Sequence, residues 1–156
     1  MTGAPEPADE VVLTAEEYDG VYAAVAAGAG PRPVGQRPTL NSLLEGWDLI
    51  VDEVAEGYSW SDAEFRNDIA CRGILARVWP LLPPRVRAIR QPELDAIDDR
   101  FRAVTVPWPG RPPGEAWWEW RIPRLLDFGT GGLTAHGWPP DWNLPFPRPD
   151  TVRLAE

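Results

Sequence analysis

Proline and glycine are concentrated in the last third of the chain, and this distribution constrains the fold more than any other feature. Ten of the 19 prolines and six of the 14 glycines lie between Val106 and Pro149. Proline lacks a backbone donor and clashes with the preceding helical turn, so regular helix is excluded over most of this segment. The helices must therefore come from earlier residues, and residues 106–156 are predicted to form an irregular Pro/Gly/Trp-rich tail.

One stretch of the tail, AWWEWRI at 116–122, alternates like a short β-strand. Alternation divides its side chains between two faces, with Trp118, Trp120 and Ile122 on one and Trp117, Glu119 and Arg121 on the other. The remaining tail is expected to be ordered only where its aromatic side chains pack against the helices. Those helices carry aromatic surface that needs such cover, at Trp47, Trp60 and Trp79.

The clearest helix begins at Leu40. Its apolar residues recur at three- and four-residue steps as far as Val54, which is the pattern of an amphipathic helix. Either Thr39 or Asn41 can cap its start, and Gly57 suits the left-handed position after its end.

Two more helices are predicted before the tail. One begins after Ser61, which has capping-box spacing to Glu64, and runs to Pro80. The other keeps one helical phase from residue 85 to 104, and Pro92 predicts a break or a fresh start within it. Residues 39–105 are therefore predicted to form a helical core of three helices.

A shorter helix is predicted near the N-terminus. Thr14 and Glu17 again have capping-box spacing, and three apolar residues share a face at Tyr18, Tyr22 and Val25. Residues 1–38 are thus predicted to hold a loose lead-in (1–12), this helix and a Pro-rich linker. The expected fold class is mainly α, with a three-helix core, a short N-terminal helix and an irregular Pro/Trp-rich C-terminal tail packed across it.

The length and the single cysteine set the broad class. A chain of 156 residues has room for one domain, and Cys71 alone cannot form an internal disulfide, which fits a reducing cytoplasm. No apolar stretch is long enough to cross a bilayer, and no secretory signal is recognisable. We therefore expect a cytoplasmic protein with no membrane contact. No pattern in the sequence indicates an oligomeric state.

The charge balance bears on the kind of partner. The net charge is −9, and all 15 basic residues are arginines. Nucleic-acid binding requires a basic face to neutralise phosphates, so we expect no nucleic-acid partner. An acidic chain favours a basic protein partner, although solubility alone also accounts for the charge.

No group of residues indicates catalysis or metal binding. His136 is the only histidine, and with Cys71 it supplies too few nitrogen and sulfur ligands for a metal. Cys71 lies in the middle of a predicted helix, without the helix N-terminus that activates a thiol. We assign no catalytic residue, no metal site and no cofactor, and expect a buried thiol and a surface imidazole.

Five polar residues beside the apolar stripes form a candidate site: Asn67, Asp68, Arg72, Asp98 and Arg102. The pairs Asp68–Arg72 and Asp98–Arg102 have the acid-first, four-residue spacing that favours ion pairs along a helix. If the two helices pack antiparallel, the set can form a buried network that fixes helix register. The alternative is a polar pocket between the helices, lined by Asn67, Asp68, Arg72 and Asp98.

Four short motifs in residues 40–123 resemble a group of small helical bacterial proteins of unknown function. They are W…V..V..GY (Trp47–Tyr58), ND…R..L (Asn67–Leu75), DDRF…T (Asp98–Thr105) and WWEWR.P (Trp117–Pro123). The resemblance implies a compact helical domain and no activity.

The tail tryptophans are predicted either to line the core or to form a binding surface. The burial preference of aromatic residues favours core lining for the face with Trp118 and Trp120. Tryptophan and arginine also dominate the hot spots of protein–protein interfaces. We name Trp117, Arg121, Trp138 and Trp142 as candidate partner-binding residues.

An acidic, aromatic-rich chain without a catalytic group favours a non-catalytic, helical protein-binding module. An immunity- or antitoxin-like neutraliser of a basic partner has this character. Two alternatives stay open. One is an enzyme or small-ligand-binding protein that uses the polar pocket, and the other is a scaffold subunit of a larger assembly.

Overall fold

The computed structural model describes residues 11–33, 35–110, 114, 116–128 and 132–155. Its helices are α1 (Ala15–Ala29), α2 (Leu40–Glu56), α3 (Asp62–Asp68), α4 (Ala70–Val78) and α5 (Pro84–Ala103). Its short strands are β1 (Thr105–Pro107), β2 (Arg121–Pro123), β3 (Leu125–Leu126) and β4 (Arg153–Leu154), and single 3₁₀ turns occur at Trp79–Leu81, Trp117–Trp120 and Pro140–Trp142. The prediction of a mainly α fold is confirmed. A loose lead-in was predicted for residues 1–12, and residues 1–10 of it lie outside the described residues.

Helix α1 begins with the predicted capping box and packs against α4. The Thr14 hydroxyl accepts from Glu17 N at 3.1 Å, and Glu17 Oε1 accepts from Thr14 N at 3.0 Å. Gly28 meets Val78 of α4 so closely that a Cβ at residue 28 would lie 2.4 Å from Val78 Cγ2. The two helices can therefore approach this closely only because residue 28 has no side chain.

The apolar face predicted for α1 is only partly correct. Val25 is buried, but Tyr18 and Tyr22 are largely exposed. Helix α4 covers the side of α1 that carries Ala24, Val25 and Gly28, so the tyrosine side remains open to solvent.

Helix α2 is capped by Thr39, which decides between the two predicted caps. Thr39 Oγ1 accepts from Ser42 N at 3.0 Å, and Ser42 Oγ accepts from Thr39 N at 2.8 Å. The predicted apolar stripe is buried at Leu40, Leu43, Leu44, Trp47, Val51 and Val54. Gly57 ends the helix with φ of 115°, a conformation that L side chains rarely adopt.

The helix predicted between Ser61 and Pro80 is divided at Ile69 into α3 and α4. Ile69 has ψ of −4°, and its carbonyl accepts from Arg72 N at 3.0 Å, a three-residue hydrogen bond in place of a four-residue one. Ile69 at this tighter turn and Arg72, Leu75 and Val78 of α4 are all buried.

Helix α5 is continuous through Pro92, so the predicted break is wrong. Pro92 and Ala88, whose carbonyl loses its helical donor, both lie on the exposed side of the helix. Water can satisfy that carbonyl, and the helix continues because its buried side remains intact.

The strand predicted at 116–122 is also wrong over most of its length. Residues 117–120 form a 3₁₀ turn, and only Arg121–Pro123 is extended, paired antiparallel with Thr105–Pro107. The pairing continues for one hydrogen bond beyond Pro107, from Trp108 N to Trp120 O at 2.9 Å, and stops where residues 117–120 turn. The turn buries Trp118, whereas Trp117 and Trp120 are half-buried.

The tail contributes side chains to the same core as the helices. Its buried apolar residues are Val106, Trp118, Ile122, Leu126, Trp138, Trp142, Leu144 and Val152. Strands β3 and β4 pair in parallel, and the Tyr58 backbone after α2 bonds to Leu125 O at 2.9 Å and to Asp127 N at 2.8 Å. None of the described helices is long and apolar enough to cross a membrane.

Candidate functional site

The centre of the predicted polar set is a buried ion pair between α4 and α5. Arg72 Nε contacts Asp98 Oδ1 at 2.8 Å, and Arg72 Nη2 contacts Asp98 Oδ2 at 3.0 Å. Trp47 of α2 donates its indole N–H to the same Oδ1 at 3.0 Å. Both carboxylate oxygens of Asp98 are thus engaged by groups from two other helices.

The two ion pairs predicted along single helices are not the ones that form. Arg72 pairs with Asp98 instead of Asp68, and Arg102 pairs with Asp99, three residues before it, at 3.2 Å. The four-residue rule describes exposed helix surfaces. Here Arg72 and Asp98 face inward, so each finds its partner across the helix interface.

Asp68 accepts instead from the buried Tyr58, whose hydroxyl lies 2.7 Å from Oδ2. Burial raises the pKa of Tyr58, and the hydrogen bond to the Asp68 carboxylate raises it further. The ring packs edge-on against Phe65 and Trp142, with centroids 5.2 and 6.1 Å away. Asn67 is exposed and is not part of this contact.

The tryptophans of the 3₁₀ turn cover the polar network. The Trp118 ring lies 4.5 Å from the Arg72 guanidinium, and the Trp117 ring lies 3.8 Å from that of Arg102. Both contacts have the geometry of cation–π interactions, which are strongest where water is excluded. Trp117 and Trp118, which the sequence left open as a binding surface, are therefore packed against arginines of the same chain.

Arg121 is half-buried and used internally. Its Nε donates to Thr105 Oγ1 at 2.7 Å, and its Nη2 donates to the carbonyl oxygens of Thr105 and Arg102 at 3.1 and 3.2 Å. Burial lowers the pKa of Arg121, and the nearby charges of Arg102 and Arg124 lower it further. The Trp117–Arg121 face is thus partly covered in the folded chain.

The two other candidate partner-binding residues are core residues, which corrects the prediction. Trp138 is 0% exposed and donates to Phe146 O at 2.7 Å, and Trp142 is 2% exposed and donates to Trp60 O at 2.8 Å. Each buried indole N–H thus has a carbonyl acceptor, which removes the cost of burying it.

The arrangement of Arg72 and Asp98 agrees with the structural interpretation of the polar set. Within the described residues, every buried side-chain nitrogen and oxygen has a hydrogen-bond partner. Burial raises the pKa of the Cys71 thiol to about 11, whereas an activated nucleophile needs a lowered pKa. His136 is exposed, as expected for a surface imidazole.

A surface that the sequence analysis missed lies on the solvent side of α2. It consists of Glu45, Leu49, Asp52, Glu53 and Glu56, with Trp60 from the following loop, and we call it the acidic face. Leu49 is 66% exposed and Trp60 is 56% exposed, so the expectation that Trp60 is covered by the tail is wrong. Trp60 Nε1 donates to Glu53 Oε1 at 3.2 Å, which holds the indole against the helix. In the sequence, only Leu49 indicates this surface, because it is an apolar residue at helical spacing among acidic ones.

Comparison with known proteins gives no significant match to a protein family, to a curated protein or to a solved structure. The resemblance of residues 40–123 to small bacterial proteins therefore stays a prediction. Its four motifs do meet in space, because Trp47, Arg72, Asp98 and Trp118 form the network described above.

Proposed function

We propose that this chain is a non-catalytic protein-binding module that binds a basic partner through the acidic face. The observation that carries the proposal is the exposure of Leu49 and Trp60 among carboxylates. The Trp60 indole bonds to Glu53, which lies one helical turn after Leu49, so both apolar side chains neighbour the same carboxylate. Exposed apolar patches mark interaction surfaces, and tryptophan is enriched among the residues that contribute most to binding.

The charge of this surface supports a basic partner. Helix α2 carries five acidic residues (Glu45, Asp48, Asp52, Glu53 and Glu56) and no basic one. Arg100 of α5 bridges Asp48 and Asp52, so part of the charge is neutralised within the chain. The remaining carboxylates surround the apolar centre as a charged rim, which is the common arrangement of an interface.

In this proposal the tail is structural and does not present its tryptophans to the partner. The burial of Trp138 and Trp142 and the internal contacts of Trp117 and Arg121 support this structural role of the tail.

We also infer a cytoplasmic location, because Cys71 is a free thiol. A neutraliser of a basic protein, in the manner of an immunity protein or an antitoxin, fits these properties.

The test is capture of partners from a native lysate at low and high salt, with two matched variants. Leu49→Ala/Trp60→Ala removes the apolar centre, and Leu81→Ala/Leu133→Ala removes two exposed leucines elsewhere. We expect a stoichiometric basic partner that is retained by the control variant, lost by the first variant and weakened by salt.

Two outcomes contradict the proposal. One is the absence of any stoichiometric partner at either salt concentration, and the other is equal capture by both variants. Gel filtration of the whole chain addresses the scaffold alternative, which requires elution as a large assembly.

A further inference from the structure

A groove of about 950 Å³ separates α1 from the N-terminal part of α2 and from α5. One wall is the open side of α1 with Tyr18 and Tyr22, and the buried Val25 lies at the base of this wall. The other wall includes Val86 and Ile89 of α5. The volume lies within the range of about 300–1,000 Å³ that is typical of small-molecule sites.

The groove is apolar and open to solvent. Tyr18, Tyr22 and Ile89 are 48%, 65% and 36% exposed, although each faces the same concave surface. Apolar side chains that remain exposed along a concavity bury further area when a ligand enters it. An apolar chain of a ligand would therefore be stabilised along this groove.

The charge of the groove is opposite to that of the chain as a whole. Its described lining contains Arg32, Arg37 and Arg90 and no acidic residue, in a chain of net charge −9. Arg90 is held by Asn41 at 2.8 Å and by Glu93 at 2.9 Å. Arg32 and Arg37 form no ion pair within the described residues. The site thus offers guanidinium groups beside an apolar channel, which is complementary to an anion with an apolar chain.

We propose that this groove binds a long-chain carboxylate, with its alkyl chain between α1 and α5 and its carboxylate at Arg32 and Arg37. A helical peptide is the competing occupant of an apolar groove, and the titration below distinguishes it from a carboxylate. The proposal is independent of the acidic face, which lies further along α2.

The experiment is calorimetric titration of the whole chain with dodecanoate below its micelle concentration. Dodecyltrimethylammonium has the same alkyl chain and the opposite charge, so it measures the contribution of the arginines. We expect one equivalent of dodecanoate to bind, with an affinity at least about tenfold higher than that of the cation. Equal affinities for the two compounds, or no binding of dodecanoate, would overturn the proposal.

Variants locate the site. Tyr22→Glu places a charge in the apolar channel, and because Tyr22 is exposed the chain should still fold, which circular dichroism verifies. We expect it to weaken dodecanoate binding by about tenfold or more. Arg32→Glu/Arg37→Glu should abolish the preference for the anion while the alkyl chain still binds.

Leu133→Glu is the control, because it adds the same charge at an exposed apolar position outside the groove. It should leave the affinity for dodecanoate unchanged. If Tyr22→Glu and Leu133→Glu weaken binding equally, the groove is not the site. Binding to anionic lipid vesicles in the absence of binding to free dodecanoate, or binding of an amphipathic helical peptide alone, would also overturn the proposal.

Discussion

Arg72 and Asp98 form a two-point ion pair, Nε to Oδ1 at 2.8 Å and Nη2 to Oδ2 at 3.0 Å, across the interface between α4 and α5. The Trp47 indole completes the coordination of the carboxylate, and the Trp118 ring covers the guanidinium. One buried pair thus connects three helices with the tail. A pair of this kind contributes more to the choice of one packing arrangement than to net stability, since desolvation offsets much of the attraction.

Removing one partner of this pair should be strongly destabilising. Asp98→Ala leaves a buried Arg72 charge and a Trp47 N–H without an acceptor, and we expect the free energy of unfolding to fall by about 3–5 kcal/mol. Asp99→Ala is the matched control, because that side chain is 77% exposed and should change stability by no more than about 0.5 kcal/mol. Urea denaturation followed by tryptophan fluorescence measures both, and similar losses for the two variants would contradict the assignment.

The contact between Gly28 and Val78 should not tolerate a methyl group. Gly28→Ala places a Cβ 2.4 Å from Val78 Cγ2 and 2.9 Å from Val78 N, so α1 must move, at a cost of about 1–3 kcal/mol. Gly46→Ala lies inside α2 with no atom within 4 Å of the added Cβ, and it should stabilise the protein by about 0.5–1 kcal/mol. Thermal unfolding of the two variants should therefore shift in opposite directions, and a stabilising Gly28→Ala would show that α1 is not seated on α4 in this way.

The tail tryptophans and Trp60 should differ in their effect on stability. Trp142 is buried and donates to a backbone carbonyl, so Trp142→Ala should cost about 3–5 kcal/mol. Trp60→Ala removes an exposed ring and should cost less than about 1 kcal/mol, because its backbone carbonyl still accepts from Trp142. Guanidinium denaturation compares them, and equal costs would mean that the tail is not part of the core.

Cys71 should react slowly and with a steep dependence on pH. Burial raises the pKa of its thiol to about 11 from an ordinary value of 9.0, so at pH 8 alkylation should be about 100-fold slower than in the denatured chain. The rate should rise about tenfold per pH unit between pH 8 and pH 10, because only the thiolate reacts. Iodoacetamide labelling followed by mass spectrometry measures this, and a flat profile would contradict the raised pKa.

The raised pKa of the Cys71 thiol also predicts how the stability of the fold depends on pH. The folded state holds the thiol proton more tightly than the unfolded state does, so this contribution to stability is complete well below the ordinary pKa of 9.0 and is lost as the pH rises to about 11. Cys71→Ala should remove that part of the alkaline loss.

The features that depend on near neighbours were predictable from the sequence. The capping box at Thr14, the cap at Ser61 and the apolar stripe of α2 require only residues a few positions apart. At Ser61 the hydroxyl accepts from Glu64 N at 3.2 Å, so only one of the two bonds of the predicted capping box forms. The main helices therefore appear where periodicity and caps predict them. The tight turn at Ile69 was not predictable in this way, since the need for it arises from what the helix packs against.

The features that depend on distant partners were not predictable. Arg72 has an acid four residues before it, yet its partner is 26 residues away, and only the packing of α4 and α5 on α2 decides between them. Pro92 is tolerated because its side of α5 faces water, which its neighbours in sequence do not reveal. Likewise, Trp60 was expected to be covered and is exposed, whereas Trp142 was expected to bind a partner and is buried. Composition identifies them as aromatic, but the path of the tail determines which one is covered.

The pairing of Tyr58 with the tail, and of β3 with β4, has a consequence for the synthesis of the protein. Helices α1–α5 leave the ribosome before the segments that cover them, so a nascent chain exposes the aromatic surface around Tyr58 and Trp47 until Val152 and Leu154 emerge. We therefore expect this fold to be completed only after Leu154 has left the ribosome. Products of a premature stop within the tail would keep that surface open and become substrates for chaperones and proteases.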